Sequence, residues 1–270
     1  MLREALQRSP ASFDLQPAPL ASPEAIELTH DPAYVRALMA GTLPAQAQRR
    51  IGFPWSEGLV TRTLASVGGT LQAARDALGA GFAGTLAGGT HHAFRSEGSG
   101  FCVFNDIAVA IRSLQRDCLI RRAAIVDLDV HQGDGTASIF SGDTDVLTFS
   151  MHGAHNFPFR KQRSALDVEL PDGTEDAEYL ARLEEVLPMV WGFAPEIVFY
   201  LAGVDGLKTD RLGRLHLTHE GLKERDRMVL EAAHSRKLPL VITLGGGYSE
   251  PIEATVEAHA NTFLAAAALT

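Results

Sequence analysis

Asp127, Asp129 and His131 stand at alternate positions behind the apolar run Ala123-Ala124-Ile125-Val126, and Gln132-Gly133-Asp134-Gly135 continues the segment. In an extended chain alternate side chains share a face, so two carboxylates and an imidazole aim together beyond a strand's end. Such a group repels itself and desolvates badly unless a cation or hydrogen-bonding partners compensate. Zinc accepts that ligand mix, and the segment then reads as half of a metal site. A competing reading makes Asp129 the cap of a helix beginning near Gly133 and His131 a satisfied core imidazole. The spacing by itself leaves both open.

Three further segments bear on the choice. Gly88-Gly89-Thr90-His91-His92 follows a short apolar strand and presents two adjacent histidines as proton carriers. Asp205 lies just past the apolar run Ile197-Val198-Phe199-Tyr200-Leu201-Ala202 and is available as a third metal ligand, although by itself it would pass for an ordinary loop acid. Leu238-Pro239-Leu240-Val241-Ile242-Thr243-Leu244 runs into Gly245-Gly246-Gly247-Tyr248, where glycines let backbone approach a ligand and leave a phenol on the same rim. Each strand delivers its polar residues at its carboxyl end, where open α/β sheets bind ligands.

The elements that must hold these residues alternate along the chain. Amphipathic patterns at about 58–80, 105–117, 174–190, 218–235 and 250–268 read as helices between the strands. The expected fold is therefore α/β, a three-layer sandwich with a mostly parallel central sheet flanked by helices. No repeat, low-complexity tract or linker divides the chain, so residues 1–270 read as one domain.

In chain order, His91-His92, Gly100-Phe101-Cys102-Val103-Phe104-Asn105-Asp106, Asp127 through Gly135, Ala202-Gly203-Val204-Asp205 with Asp210-Arg211-Leu212-Gly213, and Gly245-Gly246-Gly247-Tyr248 resemble the histone deacetylase superfamily. Val168 through Leu180 and the Asp-Arg-Leu-Gly stretch are most similar to its class IV branch and bacterial relatives. The resemblance covers most of the chain and implies an arginase/deacetylase-like fold. It implies zinc held by Asp129, His131 and Asp205, with His91 oriented by Asp127 and His92 by Asp134. Tyr248 would donate to the carbonyl oxygen, while Gly100, Phe101, Gly246 and Gly247 would border the substrate. It further implies a structural monovalent cation, usually potassium, bound by Asp127, Asp129, His131 and Ser150 and by the backbone at Met151.

The activity so implied is removal of acetyl or longer acyl groups from lysine side chains of a peptide or protein. A small acylated amine such as an acetylpolyamine is the alternative substrate. An arginase-like hydrolase would need a second set of paired aspartates, which the sequence does not show, and a non-catalytic acyl sensor would not need His91, His92, Asp134 and Tyr248 together. Phe157-Pro158-Phe159 would line the tunnel mouth or anchor a loop, and His152 and His155 read as structural. Family members usually carry an earlier strand and rim loop that Met1-Leu2-Arg3-Glu4-Ala5-Leu6 does not supply, so an exposed or differently covered sheet edge and a more open groove are expected.

Composition narrows the partners. The net charge of −9 argues against broad nucleic-acid binding, and an acidic rim attracting cationic peptides competes with the plain reading of an ordinary acidic protein. No run is long and apolar enough for a bilayer and the first residues lack a signal-peptide core, so a cytoplasmic location is expected. Cys102 and Cys118 have neither zinc-finger nor redox spacing. Oligomerisation is left open.

Overall fold

The computed structural model describes all 270 residues. Six strands, β1 (Phe82–Gly84), β2 (Ala123–Asp127), β3 (Val146–Gly153), β4 (Leu166–Leu170), β5 (Ile197–Leu201) and β6 (Leu240–Thr243), form one sheet in the order β1-β6-β5-β2-β3-β4. Every pairing is parallel, so the expected "mostly parallel" sheet is parallel throughout. From β2 the chain steps outward through β3 to β4, then returns to the other flank of β2 as β5. That reversal opens a crevice beyond the carboxyl ends of β2 and β5, the place where such sheets bind ligands.

Strand alternation builds two apolar layers. Ile125, Phe199, Leu201 and Val241 enter a cluster with Ala74 of α5 (Glu57–Ala80) and Ile107 and Ile111 of α6 (Asp106–Arg116). Val126, Tyr200 and Ile242 face the opposite cluster with Leu183 and Leu187 of α8 (Asp176–Gly192), Val229 and Leu230 of α9 (His219–Ser235), and Phe263 of α10 (Ile252–Ala267). Burying each such side chain contributes roughly 1.5–3 kcal/mol, which makes the sheet a rigid base for the loops at its rim. Leu6 of α1 (Leu2–Arg8) joins the second cluster.

The expected helices appear with ends shifted by a few residues, and side-chain caps set the starts of α5, α6 and α9 (His219–Ser235). Ser56 Oγ accepts from Leu59 N–H at 3.0 Å to start α5, and Thr218 Oγ1 accepts from Gly221 N–H at 3.1 Å to start α9. A third cluster, not expected from the sequence, gathers α2 (Pro23–Glu27), α3 (Pro32–Met39) and α4 (Ala45–Ile51) around Ile26, Leu38 and Ile51 and packs on Phe104 and Val109. These helices are too short to print a clear amphipathic period. At the sheet's edges, β1 is only three residues long and β4 exposes Asp167 and Glu169, both of which discourage strand addition. No helix is long and apolar enough to cross a membrane.

Candidate active site

Beyond β2 the chain turns sooner than strand alternation implies. The Leu128 N–H still bonds to the Leu201 carbonyl at 3.1 Å, but the strand ends at Asp127. There the Asp127 Oδ1 accepts from the Asp129 N–H at 3.2 Å and bends the chain. Extended periodicity therefore does not carry Asp127, Asp129 and His131 onto one face; a bend does. Nor does Asp129 cap α7 (Asp134–Ile139), whose preceding residue Gly133 offers no side chain.

The carboxylate of Asp129 turns toward His131 instead, and Asp205, just past β5, closes the group. His131 Nδ1 lies 3.0 Å from Asp129 Oδ1 and 3.1 Å from Asp205 Oδ2. One donor atom from each of the three residues lies within 4.8 Å of the others. Backbone donors complete the clamp: Gly246 N–H reaches Asp129 Oδ2 at 2.6 Å, and Val130 N–H reaches Asp205 Oδ1 at 2.9 Å. A Cβ on Gly246 would come within 2.0 Å of Asp205 Oδ2, so a side chain there would displace the carboxylate.

Charge in this group is out of balance. Burial, reinforced by the neighbouring Asp129, pushes Asp205 up to about 7. Burial alone would lower His131, yet its bonds to Asp129 and Asp205 hold it up to about 11. Burial opposes ionisation of Asp129 too, but His91, His131 and the Gly246 N–H keep it well below the usual carboxylate range. Two buried carboxylates around one imidazole nitrogen thus demand positive charge, and a divalent ion would supply it.

Facing this group are the adjacent histidines. His91 Nδ1 lies 2.7 Å from Asp127 Oδ2 and His92 Nδ1 lies 2.7 Å from Asp134 Oδ1, the two pairings the resemblance implies. Their ring centroids are 4.1 Å apart, and the His92 ring is 5.9 Å from that of His131. The two differ in charge preference. Burial works against a proton on either ring, but Asp127 and Asp129 hold His91 up to about 9. Burial and the neighbouring His91 bring His92 down to about 4.

The loop carrying the pair is fixed by a residue the sequence reading left without a role. Asp106, fully buried at the first turn of α6, accepts from Gly89 N–H at 3.0 Å, Thr90 N–H at 2.8 Å and the Thr70 hydroxyl at 2.5 Å. Its place after the N-cap Asn105 marks a helix start but gives no hint of what its carboxylate holds. Asp210 does the same for the phenol's loop, accepting from Tyr248 N–H at 2.5 Å. Tyr248 is half-buried, and burial, with Asp129 and Asp205 nearby, pushes its phenol above its ordinary value.

The remaining expected residues fall on two sides. Gly100 lies against His92, where an added Cβ would come within 2.7 Å of the ring. Phe101 is 47% exposed, its ring tilted against that of Phe53 at 5.2 Å. Phe157 meets the His92 ring edge-on at 4.9 Å, while Phe159 is 87% exposed, so Phe157 borders the site and Phe159 stands free of it. Gly247 packs toward Thr255, Val204 and His259 rather than toward the carboxylates. Asp127 and Ser150 are register partners on adjacent strands, with Met151 next in β3, and the Ser150 hydroxyl lies 2.9 Å from His152 Nδ1. His152 is buried and His155 is exposed beside Asp172.

This is a layered parallel α/β protein whose strand ends build a buried, metal-competent pocket. Its sequence matches the family described as the histone deacetylase domain over residues 1–264, and the chain belongs to that family. It is 52% identical over 238 residues to an uncharacterized protein of Picosynechococcus, covering 87% of this chain and 78% of that one. It is 39% identical to histone deacetylase 2 of Arabidopsis thaliana over 67% of this chain and 48% of the relative. With the acetoin utilization protein AcuC of Bacillus subtilis it shares 33% identity over 84% of this chain and 65% of the relative.

Proposed function

We propose that the protein is a zinc-dependent amidohydrolase that removes acyl groups, acetyl or longer, from lysine side chains. The observation that carries this reading is the convergence of Asp129, His131 and Asp205 beside two carboxylate-backed histidines. Membership in the histone deacetylase family supports the amide chemistry. Asp129, His131 and Asp205 would hold the zinc. When bound, zinc lowers the pKa of water toward about 7 and polarises an amide carbonyl.

The chain's own groups supply the rest. Asp134 holds the His92 Nδ1–H, which leaves Nε2 as the ring's acceptor. His92 takes a proton from the attacking water at Nε2 and returns it to the leaving lysine amine, help worth roughly 10²–10⁴-fold. Burial keeps the Tyr248 phenol protonated, so its O–H donates to the carbonyl oxygen as negative charge develops there. The lysyl stem lies beside Phe101 and Phe157, over the space that Gly100 leaves clear of a side chain. A potassium ion beneath the site would draw on Asp127 and Ser150 and on the backbone around Asp129, His131 and Met151, an oxygen-rich set suited to it.

Metal content and a substrate panel test the reading. The purified protein is expected to carry one zinc equivalent and to hydrolyse at least one of acetyl-, butyryl-, octanoyl- and myristoyl-lysine peptides, with Asp129→Ala as the blank. Two manganese equivalents, or hydrolysis of none of the peptides by zinc-loaded protein, would refute it.

A further inference from the structure

The acidic chain surrounds its pocket with cationic loops. Four segments border the histidines and Tyr248. Residues 49–53 meet Gly100 and Phe101, whose N–H groups bond to the Arg50 and Ile51 carbonyls. Residues 94–101 continue from His92, and residues 155–163 place Phe157 on the His92 ring. Residues 208–214 join the Tyr248 loop through the Arg211 N–H and the Tyr248 carbonyl at 3.4 Å. Together they hold nine Lys and Arg against two acids, Glu97 and Asp210, in a chain of net charge −9.

Few of those cations are neutralised. Arg50 pairs with Glu97, Arg211 with Glu250 at 3.6 Å and Arg214 with Asp172 at 3.1 Å. Arg49, Arg95, Arg160, Lys161, Arg163 and Lys208 have no carboxylate within 4.0 Å, and all but the half-buried Lys161 are exposed. Asp210 spends its carboxylate on the Leu212, Gly213 and Tyr248 N–H groups, and Asp31, beside Arg95, spends its own on capping α3. Lys161 Nζ is anchored on the Asn156 and Pro158 carbonyls at 2.5 and 2.7 Å, so positive charge is fixed beside Phe157.

We propose that the substrate is an acyl-lysine flanked by acidic residues, drawn to the pocket by these unpaired cations and not a polycationic tail or an acylated polyamine. The inference rests on the lysine-deacylase reading for the amide and on the rim alone for the charge. Like charge on a polyamine or a Lys/Arg-rich peptide would raise the energy of approach, whereas Asp and Glu beside the acyl-lysine would speed encounter and hold register. Such attraction acts between exposed groups and weakens when added salt shortens the Debye length from about 10 Å to a few Å.

Two acyl-lysine peptides, identical except for Asp or Lys at the four flanking positions, test this with acetylputrescine beside them. Binding by fluorescence anisotropy and kcat/KM of the zinc-loaded protein are both measured. At low salt the acidic peptide is expected to bind and turn over about tenfold better than the basic one, a gap that narrows to about threefold or less near 0.5 M salt. Arg160→Glu with Arg163→Glu should erase the preference through KM with kcat retained, while Arg3→Glu with Arg182→Glu on α1 and α8 should leave it. Equal or tighter binding of the basic peptide, faster turnover of acetylputrescine, or an unchanged preference in the Arg160/Arg163 double variant would overturn the proposal. If no peptide is hydrolysed yet the acidic one binds selectively through Arg160 and Arg163, the rim inference stands and the catalytic reading falls.

Discussion

Both ends of the sheet gather charge, but only the carboxyl end takes that charge out of water. At the amino ends of β2, β3 and β5 a groove of about 540 Å³ is lined by Arg112, Arg121, Asp143, Asp145 and Glu196 among others. Its charges pair simply: Arg112 with Asp143 at 2.7 Å, Arg121 with Asp145 at 3.1 Å, and Glu196 with the Arg121 and Arg122 N–H groups at 2.5 and 2.8 Å. The Arg121 side chain is 80% exposed, and such a pair is worth about 1 kcal/mol or less. At the carboxyl ends Asp127, Asp129, Asp134 and Asp205 are all buried, and their balance needs histidine protons or a cation. The groove's charges pair within reach of water, whereas the carboxyl ends hold desolvated charge. The second is the better guide to chemistry, because burying unbalanced charge costs stability that packing does not return.

The sharpest break of this contrast removes one carboxylate at each end. Asp129→Ala is expected to lose bound metal and to lower acyl-lysine hydrolysis by more than about 10⁴-fold, beyond what acid–base help supplies. Asp145→Ala, a group of the same charge in the groove, should leave both within about twofold. Metal analysis and turnover on the same preparations decide it, and retained zinc in Asp129→Ala would dissolve the distinction.

A second comparison sets one arginine against another. Arg225 of α9 and its partner Asp226 are each 1% exposed, with an Nη2 to Oδ1 distance of 2.8 Å. The same guanidinium donates to the Gly203 carbonyl at 2.5 Å, just before the Asp205 loop. Arg225→Met would leave Asp226 buried with only the Tyr200 and Thr262 hydroxyls, and should lower unfolding free energy by about 3–5 kcal/mol. Arg121→Met should change it by less than about 1 kcal/mol. Urea melts that show equal losses would mean that burial does not separate the two ends.

Within the pocket, Tyr248→Phe tests whether the rim phenol acts on the reacting atoms. Loss of one oxyanion donor is worth about 3–4 kcal/mol, so kcat should fall about 10²–10³-fold with zinc content unchanged. An unaltered kcat would place the phenol outside the chemistry.

Long periodic elements were legible from sequence, since α5, α8 and α9 each print an apolar face and α5 and α9 begin at a cap. In the site, residue types at strand ends pointed to Asp127, Asp129 and His131 with Asp205 and to the adjacent His91 and His92, while the pairing of His91 with Asp127 and of His92 with Asp134 was legible only through the family resemblance. Three features were hidden for physical reasons. β3 carries Ser150 and His152 inside its buried run, and β4 exposes acids at an edge, so neither shows the pattern of a central strand. Arg225 lies on a helix where an arginine reads as solvent-facing. The cationic rim cannot be seen in a net charge of −9, because composition sums the surface and only the fold sorts it.

The smallest expected effect concerns pH and separates the ends by proton linkage. His30 is fully buried; its Nδ1–H donates to the Phe94 carbonyl at 3.0 Å and its Nε2 accepts from the Asn105 N–H at 2.9 Å, so the fold holds the neutral ring. Burial lowers it from 6.5 to about 4. Above pH 6.5 the ring is neutral in both states and its contribution is complete. As pH falls toward 4 the unfolded chain takes up a proton that the folded chain refuses, and stability declines by at most about 3 kcal/mol. Below about 4 no further loss arises from this group. His30→Gln should therefore lower stability at pH 7 yet flatten its pH dependence between 6.5 and 4 by about 1.4 kcal/mol per pH unit, one proton's worth. Arg121→Met removes no buried ring and should leave that slope intact. Parallel slopes for His30→Gln and the parent protein would show that acid sensitivity arises elsewhere.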